Sequence, residues 1–411
     1  MPKKTIDSID ANKKRVLVRL DLNVPLDKHQ RITDDRRIRA ALPTIRKLLN
    51  DSGRLILMSH LGRPTGDPAA DQAYTLRPVA ERLTELLDHP VTFVPQTTGP
   101  DVARAVDALE PGRCCLIENL RFNPPETIKD KHAAKIPDLR KQKDDFAAAL
   151  AALGDIYVND AFGTCHRDNA SMLTVPQIMQ GKPRVIGYLV AKELAFLGHA
   201  VTNPKRPFVC VLGGAKVSDK VGTIENLLNR CDTILVGGAM ANTFAAAAGR
   251  PTGKSLVEPD RYDTARDLRA KAGDRIRLPI DYVCAADVKL DAQIHVTEGP
   301  IPGDMMALDI GPRTVSAYRD VLLTAATIVW NGPMGVFETP PFNAGTLAIA
   351  QTLVDATAKG AVTIIGGGDS AAAIEQANLA DKVTHVSTGG GASLEFLEGK
   401  PFAAIDVLDD A

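Results

Sequence analysis

The fold is decided most clearly by the stretch FVCVLGGAKVSDKVGTIENLL, which occupies residues 208–228. It begins with an uninterrupted apolar run at 208–212, which is typical of a strand buried on both faces of a sheet. A glycine-rich turn follows, and residues 220–228 have the apolar spacing that favours a helix. A strand, a turn and a helix in this order predict one βα unit of a parallel sheet.

The same pattern extends outward from this stretch through most of the chain. Short apolar runs predict strands before it at 16–20, 54–58, 91–94, 114–117 and 156–158, and after it at 233–236, 276–283, 327–330, 362–365 and 383–386. Helical spacing lies between many of these runs, including 37–49, 76–87, 144–153 and 344–357. The alternation stops near 191–207, where a helical segment meets a turn rich in proline, and then begins again. We therefore predict an α/β fold of two three-layer α/β/α, Rossmann-like domains with parallel sheets.

Length and composition exclude several classes of protein. The 411 residues are enough for two domains, and 45% hydrophobic with 24% charged residues is the balance of a globular protein. No apolar run approaches the roughly 20 residues that a membrane helix needs, and no apolar region follows the N-terminal lysines as it would in a secretion signal. The six cysteines contain no CxxC pair. We therefore expect a cytoplasmic protein, in a reducing compartment, with no membrane partner.

The net charge of −1 argues against a nucleic-acid partner, because nucleic-acid-binding domains are usually strongly basic. This average hides an asymmetry between the two halves. Up to Asn203 the chain has 30 lysines and arginines against 25 acidic residues, and after it 19 against 25. A basic first half is consistent with binding of an anionic small molecule there, although a chance asymmetry of the solvated surface explains the counts equally well.

Basic residues follow the predicted strands of the first half. Arg63, Arg121 and Arg167 come after three of them, with His60 close to the first of the three, and Arg37 opens a predicted helix. Ligands of parallel α/β sheets bind beyond the carboxyl ends of the strands, and a guanidinium group holds phosphate or carboxylate oxygens through two parallel hydrogen bonds. Taken singly, each arginine is as consistent with a surface ion pair. As a set they favour a site for a small anion.

Two further polar residues, Asp21 and Asn23, follow the first predicted strand. Their side chains are suited to accept hydrogen bonds from sugar-like hydroxyl groups, and they cannot pair with an anion as charges. Asp21 has a second interpretation, as an ion-pair partner that orients an arginine. The sequence is consistent with either role.

Glycine-rich turns replace the arginines at the strand ends of the second half. They occur at 213–214, 237–238, 332–335, 366–368 and 389–391. Glycine between a strand and a helix lets phosphate oxygens reach the free N–H groups at the helix start. With Lys216 and Lys220 nearby, these turns favour a nucleoside polyphosphate. Asp369 is the candidate ligand of Mg²⁺, an ion that is usually shared with phosphates.

Two other motifs suggest different nucleotide sites, and neither fits. AGRPTGKS at 248–255 is similar to a phosphate-binding P-loop, but it lacks the first glycine and follows a predicted helix at 240–247. GGGDSA at 366–371 fits the loose form of a dinucleotide fingerprint, which is the pattern of a nicotinamide-dependent oxidoreductase. No acidic residue follows the next apolar run to hold a ribose, so a nicotinamide site is disfavoured.

Several longer motifs occur together in one order along the chain. They are DLNVP at 21–25, SHLGRP at 59–64, ENLRF at 118–122, NDAFGTCHR at 159–167, GGAKVSDK at 213–220, WNGPMGVFE at 330–338, GGGDS at 366–370 and VSTGGGASLE at 386–395. This set resembles the phosphoglycerate kinase family from about Lys14 to the C-terminus. The chain departs from the family at Ser370, where threonine is usual, and at 129–145, which does not align. Serine keeps the hydroxyl group, and 129–145 lies away from the strand ends.

The resemblance implies two similar-sized domains around a cleft, joined by a hinge helix. It places an N-terminal phosphoglycerate-binding domain at 1–188, the interdomain helix or hinge at 189–205, a C-terminal nucleotide-binding domain at 206–392 and a segment at 393–411 that packs back on the N-terminal domain. It implies reversible, Mg²⁺-dependent phosphoryl transfer between 1,3-bisphosphoglycerate and ADP, which gives 3-phosphoglycerate and ATP in glycolysis and gluconeogenesis. We expect a monomer whose partners are these small molecules.

The residues of two sites carry over position by position. The resemblance implies that the first domain binds the phosphoglycerate through Asp21, Leu22, Asn23, Arg37, His60, Leu61, Gly62, Arg63, Arg121 and Arg167. It implies that the second domain binds the nucleotide through Gly214, Lys216, Lys220, Gly238, Leu308, Asn331, Pro333, Glu338, Gly367, Gly368, Asp369 and Ser370, with Mg²⁺ at Asp369.

The chemistry of this reaction agrees with the lack of an obvious general base in the motifs. The nucleophile is a phosphate or a carboxylate oxygen, and both are anionic at neutral pH. We expect direct in-line transfer after the domains close, with catalysis by positioning and fixed positive charge. The candidates for this role are Arg37, Lys216, Lys220, Gly390 and Gly391. A relative that kept the fold and lost the chemistry is the remaining alternative, and the presence of the expected charged residues favours an active enzyme.

Overall fold

The computed structural model describes residues 2–411, apart from the side chains of Pro68, His199 and Val201. Contacts within the chain divide it into two compact units. The first comprises the residues up to Leu194 together with 401–411, and the second is 195–400. Each unit contains a six-stranded parallel sheet with helices, which confirms the predicted α/β class.

The sheet of the first unit is built from β1 (Arg15–Leu20), β2 (Arg54–Met58), β3 (Val91–Val94), β4 (Cys114–Ile117), β5 (Ile156–Asp160) and β6 (Arg184–Ile186). The strands lie in the order β3-β4-β2-β1-β5-β6, and every neighbouring pair is parallel. All residues of β4 and β5 are buried, as expected for a parallel sheet covered on both faces. This burial explains why the central strands are continuous apolar runs in the sequence.

The helices of the first unit are α1 (Arg36–Asn50), α2 (Pro68–Asp71), α3 (Arg77–Leu87), α4 (Pro100–Asp107), α5 (Asp130–Ala133), α6 (Pro137–Ala151), α7 (Val175–Ile178) and α8 (Tyr188–Thr202), which continues into the second unit. α1 shows how a helix packs on this sheet. Ile38, Ile45 and Leu48 recur at helical spacing and are fully buried, in a core that also contains Val16 and Val18 of β1. One apolar stripe therefore holds α1 on the sheet.

The strands of the second unit are β7 (Phe208–Leu212), β8 (Thr233–Val236), β9 (Ile276–Arg277), β10 (Tyr282–Ala285), β11 (His295–Thr297), β12 (Met306–Ile310), β13 (Thr327–Asn331), β14 (Val362–Gly366) and β15 (His385–Val386). The parallel sheet has the order β15-β14-β13-β7-β8-β9, and β11-β10-β12 form a separate antiparallel sheet. Trp330 of β13 is fully buried, and its indole N–H donates to the carbonyl of Gly332 at 2.8 Å. The large ring therefore belongs to the core of this unit.

The prediction of a single strand over 276–283 is wrong. β9 ends at Arg277 and β10 begins at Tyr282, with Pro279 between them. Proline has no N–H group to donate to a sheet ladder, so the apolar run cannot continue as one central strand. The chain leaves the parallel sheet at this point and forms the antiparallel sheet with β11 and β12.

The helices of the second unit are α9 (Val221–Leu228), α10 (Gly238–Ala247), α11 (Tyr262–Ala272), α12 (Pro312–Leu322), α13 (Ala344–Ala358), α14 (Gly368–Gln376) and α15 (Gly391–Leu397). α10, α14 and α15 begin directly at glycine-rich turns. Their first N–H groups therefore lie at the ends of strands, as the sequence predicts. In the part of the chain that the structure describes, no helix is both long and apolar enough to cross a membrane.

The last residues of the chain form α16 (Ala403–Asp406) and belong to the first unit. The ammonium group of Lys3 donates to the carbonyls of Asp406 and Leu408 at 3.0 and 2.8 Å. Arg184 of β6 forms an ion pair with Asp409 at 2.8 Å. Hydrogen bonds from the N-terminal segment and an ion pair with β6 therefore hold the C-terminal residues in place.

The division between the units differs in position from the boundaries that the resemblance implies. Those boundaries put the hinge at 189–205 and the returning segment at 393–411. The contacts divide the chain after Leu194, within α8, and after Lys400. Residues 393–400 therefore lie in the second unit.

α8 begins at a buried carboxylate, that of Asp160 at the end of β5. Its Oδ1 accepts hydrogen bonds from the backbone N–H groups of Leu189 and Val190 at 2.9 and 3.1 Å. Gly187 makes this approach possible, because a Cβ there would stand 2.3 Å from the carboxyl group. Burial raises the pKa of Asp160 to about 7, although hydrogen bonds from Thr44 and from the two N–H groups oppose this shift.

Asp160→Asn should weaken the pH dependence of stability. A carboxyl group whose pKa is raised by folding binds its proton more tightly in the folded chain, so the free energy of unfolding falls as pH rises toward the pKa of about 7. Between about pH 5.5 and about pH 8, deprotonation of Asp160 should lower the free energy of unfolding of the wild type by about 2 kcal/mol. The variant should lack this decrease. Urea unfolding at the two pH values measures the difference.

Asp355→Asn is the matched control for this prediction. Hydrogen bonds from Gln351 and Arg319 lower the pKa of the Asp355 carboxyl, so it titrates below the tested range. Its variant should keep the pH dependence of the wild type. An undiminished fall of stability in Asp160→Asn would assign the titration to another group.

Candidate functional site

Polar residues from four neighbouring strands of the first unit meet at one edge of its sheet. β4, β2, β1 and β5 lie side by side, and their carboxyl ends lead into 118–122, 59–64, 21–25 and 161–167. Hydrogen bonds join these loops. Asn23 Oδ1 accepts from the N–H of Gly62 at 2.8 Å, and Asn119 Oδ1 accepts from the N–H of Leu61 at 3.1 Å. These hydrogen bonds join three of the four loops, and the charge of Arg167 in the fourth acts on His60, so the loops meet at one edge of the sheet, called here the cationic edge.

Gly62 allows close packing within this edge. Its φ of +61° is left-handed, and a Cβ there would stand 2.2 Å from the ring of Tyr74. Its carbonyl accepts a hydrogen bond from Nη1 of Arg121 at 2.5 Å. Sequence reasoning selected Gly62 for the ligand and missed Tyr74, whose ring requires a glycine at this position.

His60 follows the end of β2 and is buried. Its Nδ1 stands 3.3 Å from Nη2 of Arg19, a donor, so Nδ1 accepts and the ring proton is on Nε2. Burial holds the pKa of His60 well below its ordinary value, and four positive charges lower it further, those of Arg19, Arg121, Arg37 and Arg167. The imidazole is therefore neutral at physiological pH and offers a hydrogen bond instead of a charge.

Arg121 is a half-buried cation at the same edge. Burial lowers its pKa to about 10, and the positive charges of Arg167 and Arg19 lower it further. The group stays protonated at neutral pH. Its Nε is buried and has no hydrogen-bond partner among residues 2–411. An unpaired buried donor is costly, and an anionic ligand would satisfy it.

Arg37 and Asp21 form an ion pair. Nη1 of Arg37 donates to both carboxylate oxygens of Asp21, at 2.8 and 2.9 Å. The side chain of Asp21 is only 6% exposed, whereas that of Arg37 is 34% exposed and accessible to a ligand. Of the two interpretations of Asp21, this geometry favours the one in which the carboxylate orients an arginine.

The other predicted residues of the cationic edge differ in exposure. The side chains of Arg63 and Arg167 are exposed, and Nε of Arg167 donates to Nε2 of His166 at 3.2 Å. The side chains of Leu22 and Leu61 are buried in the core of the unit. The two leucines can therefore offer only backbone groups to a ligand.

Two buried charges below the edge were missed by sequence reasoning. Arg19 of β1 is fully buried, and its Nε donates to Oγ of Ser171 at 2.9 Å. Glu126 is also fully buried and accepts from the N–H and the hydroxyl of Ser171 at 2.9 and 2.7 Å. No pattern in the neighbouring sequence indicates that either side chain is buried. The positive charges around His60 outnumber the nearby carboxylates, so the edge is suited to an anion.

The second unit has an apolar cavity of about 360 Å³. Residues of the predicted nucleotide site line it, namely Gly214, Gly238, Leu308, Pro333 and Glu338. Apolar walls around a volume of this size suit a flat aromatic base. Sequence reasoning missed several wall residues, among them Leu256, Tyr282 and Val288, since they belong to no motif.

A second cavity, of about 340 Å³, adjoins the apolar one, because Gly214, Ala215 and Asp369 line both. It is called here the polar cavity, because two lysines and two aspartates are among its lining residues. Its lining holds the other predicted nucleotide residues and the predicted catalytic residues of this unit, which are Lys216, Lys220, Asn331, Gly367, Gly368, Ser370, Gly390 and Gly391. Backbone N–H groups of glycine turns and two ammonium groups in one cavity suit a polyphosphate. The structure therefore brings together all residues that the resemblance assigns to the nucleotide.

Lys220 places its ammonium group against Oδ1 of Asn331, to which it donates a hydrogen bond. Burial lowers the pKa of Lys220 to about 8, and the negative charges of Asp369, Asp219 and Glu398 oppose this shift. The other side-chain atom of Asn331, Nδ2, is buried and unpaired within the described chain. A polyanion in the cavity would stabilise the ammonium charge and give this amide a partner.

Three turns pack closely beside the polar cavity. A Cβ on Gly213 would stand 2.0 Å from the carbonyl oxygen of Pro333 and 2.7 Å from that of Gly332. The N–H of Gly332 donates to Oγ of Ser370 at 2.6 Å, and Ser370 is fully buried. The hydroxyl at 370 therefore accepts a backbone hydrogen bond, and its own proton is what it can donate to a phosphate.

Asp369 offers an exposed carboxylate to both cavities. Mg²⁺ prefers oxygen ligands, and one or two carboxylates commonly hold it together with substrate phosphates. Within residues 2–411, no cluster of three or more His, Cys, Asp or Glu side chains could hold a metal ion. The exposed carboxylate of Asp369 is by its chemistry an oxygen ligand of the kind that Mg²⁺ shares with phosphates.

The fold and these surfaces define a class of protein. One unit offers a cationic edge for a small anion, and the other offers adjoining apolar and polar cavities for a nucleotide. An α/β chain that can hold a nucleotide polyphosphate and a separate anionic substrate has the parts of a nucleotide-dependent phosphotransferase.

Comparisons with known proteins identify the family. A sequence profile described as "Phosphoglycerate kinase" matches residues 6–400. The phosphoglycerate kinase of Rhodopirellula baltica is 54% identical over 414 residues, and that of Chloroflexus aggregans is 53% identical over 418, with 100% of each chain covered. The solved phosphoglycerate kinase structure from Coxiella burnetii has 38% identity and a TM-score of 0.84, covering 99% of this chain and 98% of that one. The structure from Pyrococcus horikoshii has 31% identity, the same TM-score and the same coverage.

The chain belongs to the phosphoglycerate kinase family. It is therefore an enzyme of the class that transfers phosphoryl groups to and from a carboxyl group. This result confirms the resemblance based on the motifs. It also overturns the alternative of a nicotinamide-dependent oxidoreductase built on 366–371.

Gly213→Ala should destabilise the second unit and weaken nucleotide binding. The added Cβ would meet two backbone carbonyl oxygens at 2.0 and 2.7 Å, and backbone cannot move aside as a flexible side chain can. We expect the free energy of unfolding to fall by at least about 2 kcal/mol. Urea unfolding measures the stability, and calorimetric titration with ADP measures the affinity.

Gly368→Ala is the matched control in the same cavity. A Cβ at this position meets no described atom within 4 Å, so the free energy of unfolding should change by less than about 1 kcal/mol. Equal destabilisation of the two variants would contradict the steric argument for Gly213.

Proposed function

We propose that this chain catalyses reversible, Mg²⁺-dependent phosphoryl transfer between 1,3-bisphosphoglycerate and ADP, which gives 3-phosphoglycerate and ATP in glycolysis and gluconeogenesis. Membership of the family supports the reaction. One observation on this particular chain carries the proposal: a cationic edge around His60 lies in one unit, and a polar cavity with an adjoining apolar one lies in the other.

The cationic edge is the proposed site of the three-carbon acid, which carries a carboxylate and a phosphate. Nε of Arg121 is a buried donor without a partner among residues 2–411, and Nε2 of His60 carries the ring proton, so each has a hydrogen bond to donate. Arg37, oriented by Asp21, provides an accessible charge. The other proposed contacts come from Leu22, Asn23, Leu61, Gly62, Arg63 and Arg167.

The adjoining cavities of the second unit are the proposed nucleotide site. The base would lie between the apolar walls that include Leu308 and Pro333, and the carboxylate of Glu338 would accept hydrogen bonds from the ribose. The phosphates would lie in the polar cavity, within reach of Lys216 and Lys220. Its glycine turns let phosphate oxygens approach backbone N–H groups that a side chain would cover.

Mg²⁺ is the proposed cofactor, and Asp369 is its proposed protein ligand. The ion supplies positive charge that neutralises the phosphate oxygens during transfer. Asp369 lies in the first turn of α14, next to the glycine turn that borders the polar cavity. Its carboxylate is therefore placed to share a cation with the phosphates of the nucleotide.

The reaction requires no general base. In one direction an oxygen of the terminal phosphate of ADP attacks the acyl phosphate, and the carboxylate leaves with the bond electrons. In the other direction a carboxylate oxygen attacks the terminal phosphate of ATP, and ADP leaves. Both nucleophiles are anions at neutral pH, so neither step has to remove a proton.

The obstacle to catalysis is repulsion between two polyanions, and the proposed catalytic groups reduce it. These groups are Arg37 in the first unit and Lys216, Lys220 and the N–H groups of Gly390 and Gly391 in the second. Because the two proposed ligand sites lie in separate units, we propose that the units close before in-line transfer, with the hinge at 189–205. Closure also excludes water, which would otherwise accept the phosphoryl group.

We further propose that the enzyme works as a monomer in the cytoplasm. Each proposed ligand site is formed by residues of a single chain, so the chemistry requires no second copy. All six cysteines are free and buried, which is consistent with a reducing compartment.

The first test measures Mg²⁺-dependent formation of ADP from ATP and 3-phosphoglycerate, coupled to a step that consumes NADH. We expect turnover by the wild type and a loss of about 10²-fold in Arg37→Ala and in Lys220→Ala. The reason is that each variant lacks a positive charge that acts on the transferred group.

Arg104→Ala and Lys271→Ala are the matched controls. Each removes an exposed cation that pairs with a surface carboxylate, Asp101 or Glu225, and each should keep wild-type turnover. Turnover that survives in Arg37→Ala and Lys220→Ala would leave the reaction in place and overturn the roles of these residues. A folded wild type that binds ATP without turnover would be a relative that has lost the chemistry.

The lowered pKa of Lys220, about 8, predicts that nucleotide affinity depends on pH. As pH rises through this pKa the free enzyme loses its ammonium charge, so the affinity for ADP should fall by up to about tenfold per pH unit above it. Lys220→Arg should keep its charge, and its affinity should stay level to about pH 9. Calorimetric titrations at about pH 7, 8 and 9 measure the ADP affinity of the wild type and of Lys220→Arg. An equal fall in the affinity of the two proteins would assign the titration to another group.

A further inference from the structure

The charged segment 129–145, which the sequence left without a role, contains a fully buried lysine. The segment includes α5 and the start of α6, and Lys143 lies on α6 with its side chain 0% exposed. A lysine is almost never fully buried unless its ammonium group is paired, because removing the charge from water is costly. The partners of Lys143 therefore indicate what holds the charge there.

The ammonium group of Lys143 binds two groups from different segments. It donates to Oδ1 of Asp130 at 2.7 Å and to the backbone carbonyl of Asp168. Asp130 contacts Asp168 as well, because the backbone N–H of Asp130 donates to Oδ2 of Asp168 at 2.7 Å. Arg140 adds a second cation, since its Nη2 donates to Oδ1 of Asp130 at 2.7 Å. The segment 129–145 thus holds both the backbone and the side chain of Asp168.

Asp168 directly follows Arg167, a residue of the cationic edge. The turn is also held on its other side, because Nδ2 of Asn169 donates to Oε1 of the buried Glu126 at 3.2 Å. The exposed guanidinium group of Arg167 is close enough to lower the pKa of Arg121 through its charge. A backbone anchored at 168 and 169 restricts the directions that the exposed side chain can take, which reduces the entropy lost when it binds a ligand.

We propose that Lys143 and Asp130 are positioning residues that hold the backbone of Asp168, so that the guanidinium group of Arg167 is placed to bind an anionic group of the three-carbon acid. This inference rests on the proposed function, since it requires that acid to bind at the cationic edge. Neither Lys143 nor Asp130 touches the acid, and both act through the turn at 166–169. A lysine with a merely structural role would affect the stability of the unit and both substrates alike.

A double-mutant cycle tests the proposal. The wild type, Lys143→Met, Arg167→Met and the double variant are compared in kcat, in KM for 3-phosphoglycerate and in KM for ATP. We expect Lys143→Met to raise KM for 3-phosphoglycerate about tenfold and to leave KM for ATP within about twofold. In the Arg167→Met background the same substitution should cause no further rise, because the residue through which Lys143 acts is already lost.

Lys141→Met is the matched control on the same helix. Lys141 is 75% exposed and pairs with Asp145 at 2.6 Å, so its loss changes the charge of α6 without touching the turn. Its KM values should equal those of the wild type. If Lys143→Met does not fold, as judged by circular dichroism, Asp130→Asn replaces it in the cycle, because the amide keeps the shape of the side chain and removes its charge.

An equal rise in KM for ATP, or additive effects in the double variant, would overturn the positioning role. A folded variant with unchanged KM for 3-phosphoglycerate would overturn it as well. A wild type without turnover would instead refute the proposed function, and hydrogen exchange would then decide the positioning role. Faster exchange at 166–169 in Lys143→Met than in Lys141→Met would support it, and equal exchange would contradict it.

Discussion

Parallel strands place their carboxyl ends at one edge of a sheet, and both proposed ligand sites depend on this constraint. In the first unit β4, β2, β1 and β5 are neighbours, so loops far apart in the chain meet around His60. In the second unit β13 lies between β14 and β7, which brings the turns at 331–335, 366–370 and 213–220 together. The residues that follow the strands then set the chemistry: arginines in one unit and glycines with two lysines in the other.

Each unit contains a different unfavourable arrangement, and other residues of the unit compensate for it: like charges in the first unit and close backbone contacts in the second. In the first, like charges gather, and they are offset by the buried Glu126, by the pairing of Asp21 with Arg37 and by a His60 that stays neutral. In the second, backbones approach so closely that a Cβ on Gly213 would clash with two carbonyl oxygens. Charge balance in the first unit and glycine in the second are thus the conditions on which the two proposed sites depend.

Much of the fold could be predicted because its signals are local. Apolar runs, helical spacing and glycine turns lie within a few residues of one another, and they located most strands and the helix starts at the glycine turns. The prediction of one strand over 276–283 was wrong because a proline divides the apolar run and its second part pairs in another sheet. Residues in the walls of the apolar cavity could not be predicted for a related reason. Leu256, Tyr282 and Val288 come from separate segments and belong to no motif.

By itself the sequence determined the α/β class, the family and the set of residues that the strand ends deliver, because motifs and periodicity are properties of neighbouring residues. The tertiary structure alone decided how those residues are charged and paired. Burial and the distances between residues far apart in the chain make His60 neutral, pair Asp21 with Arg37 and bring Lys143 to the backbone of Asp168. Electrostatic effects are governed by these distances and by access to water, and no local pattern records them.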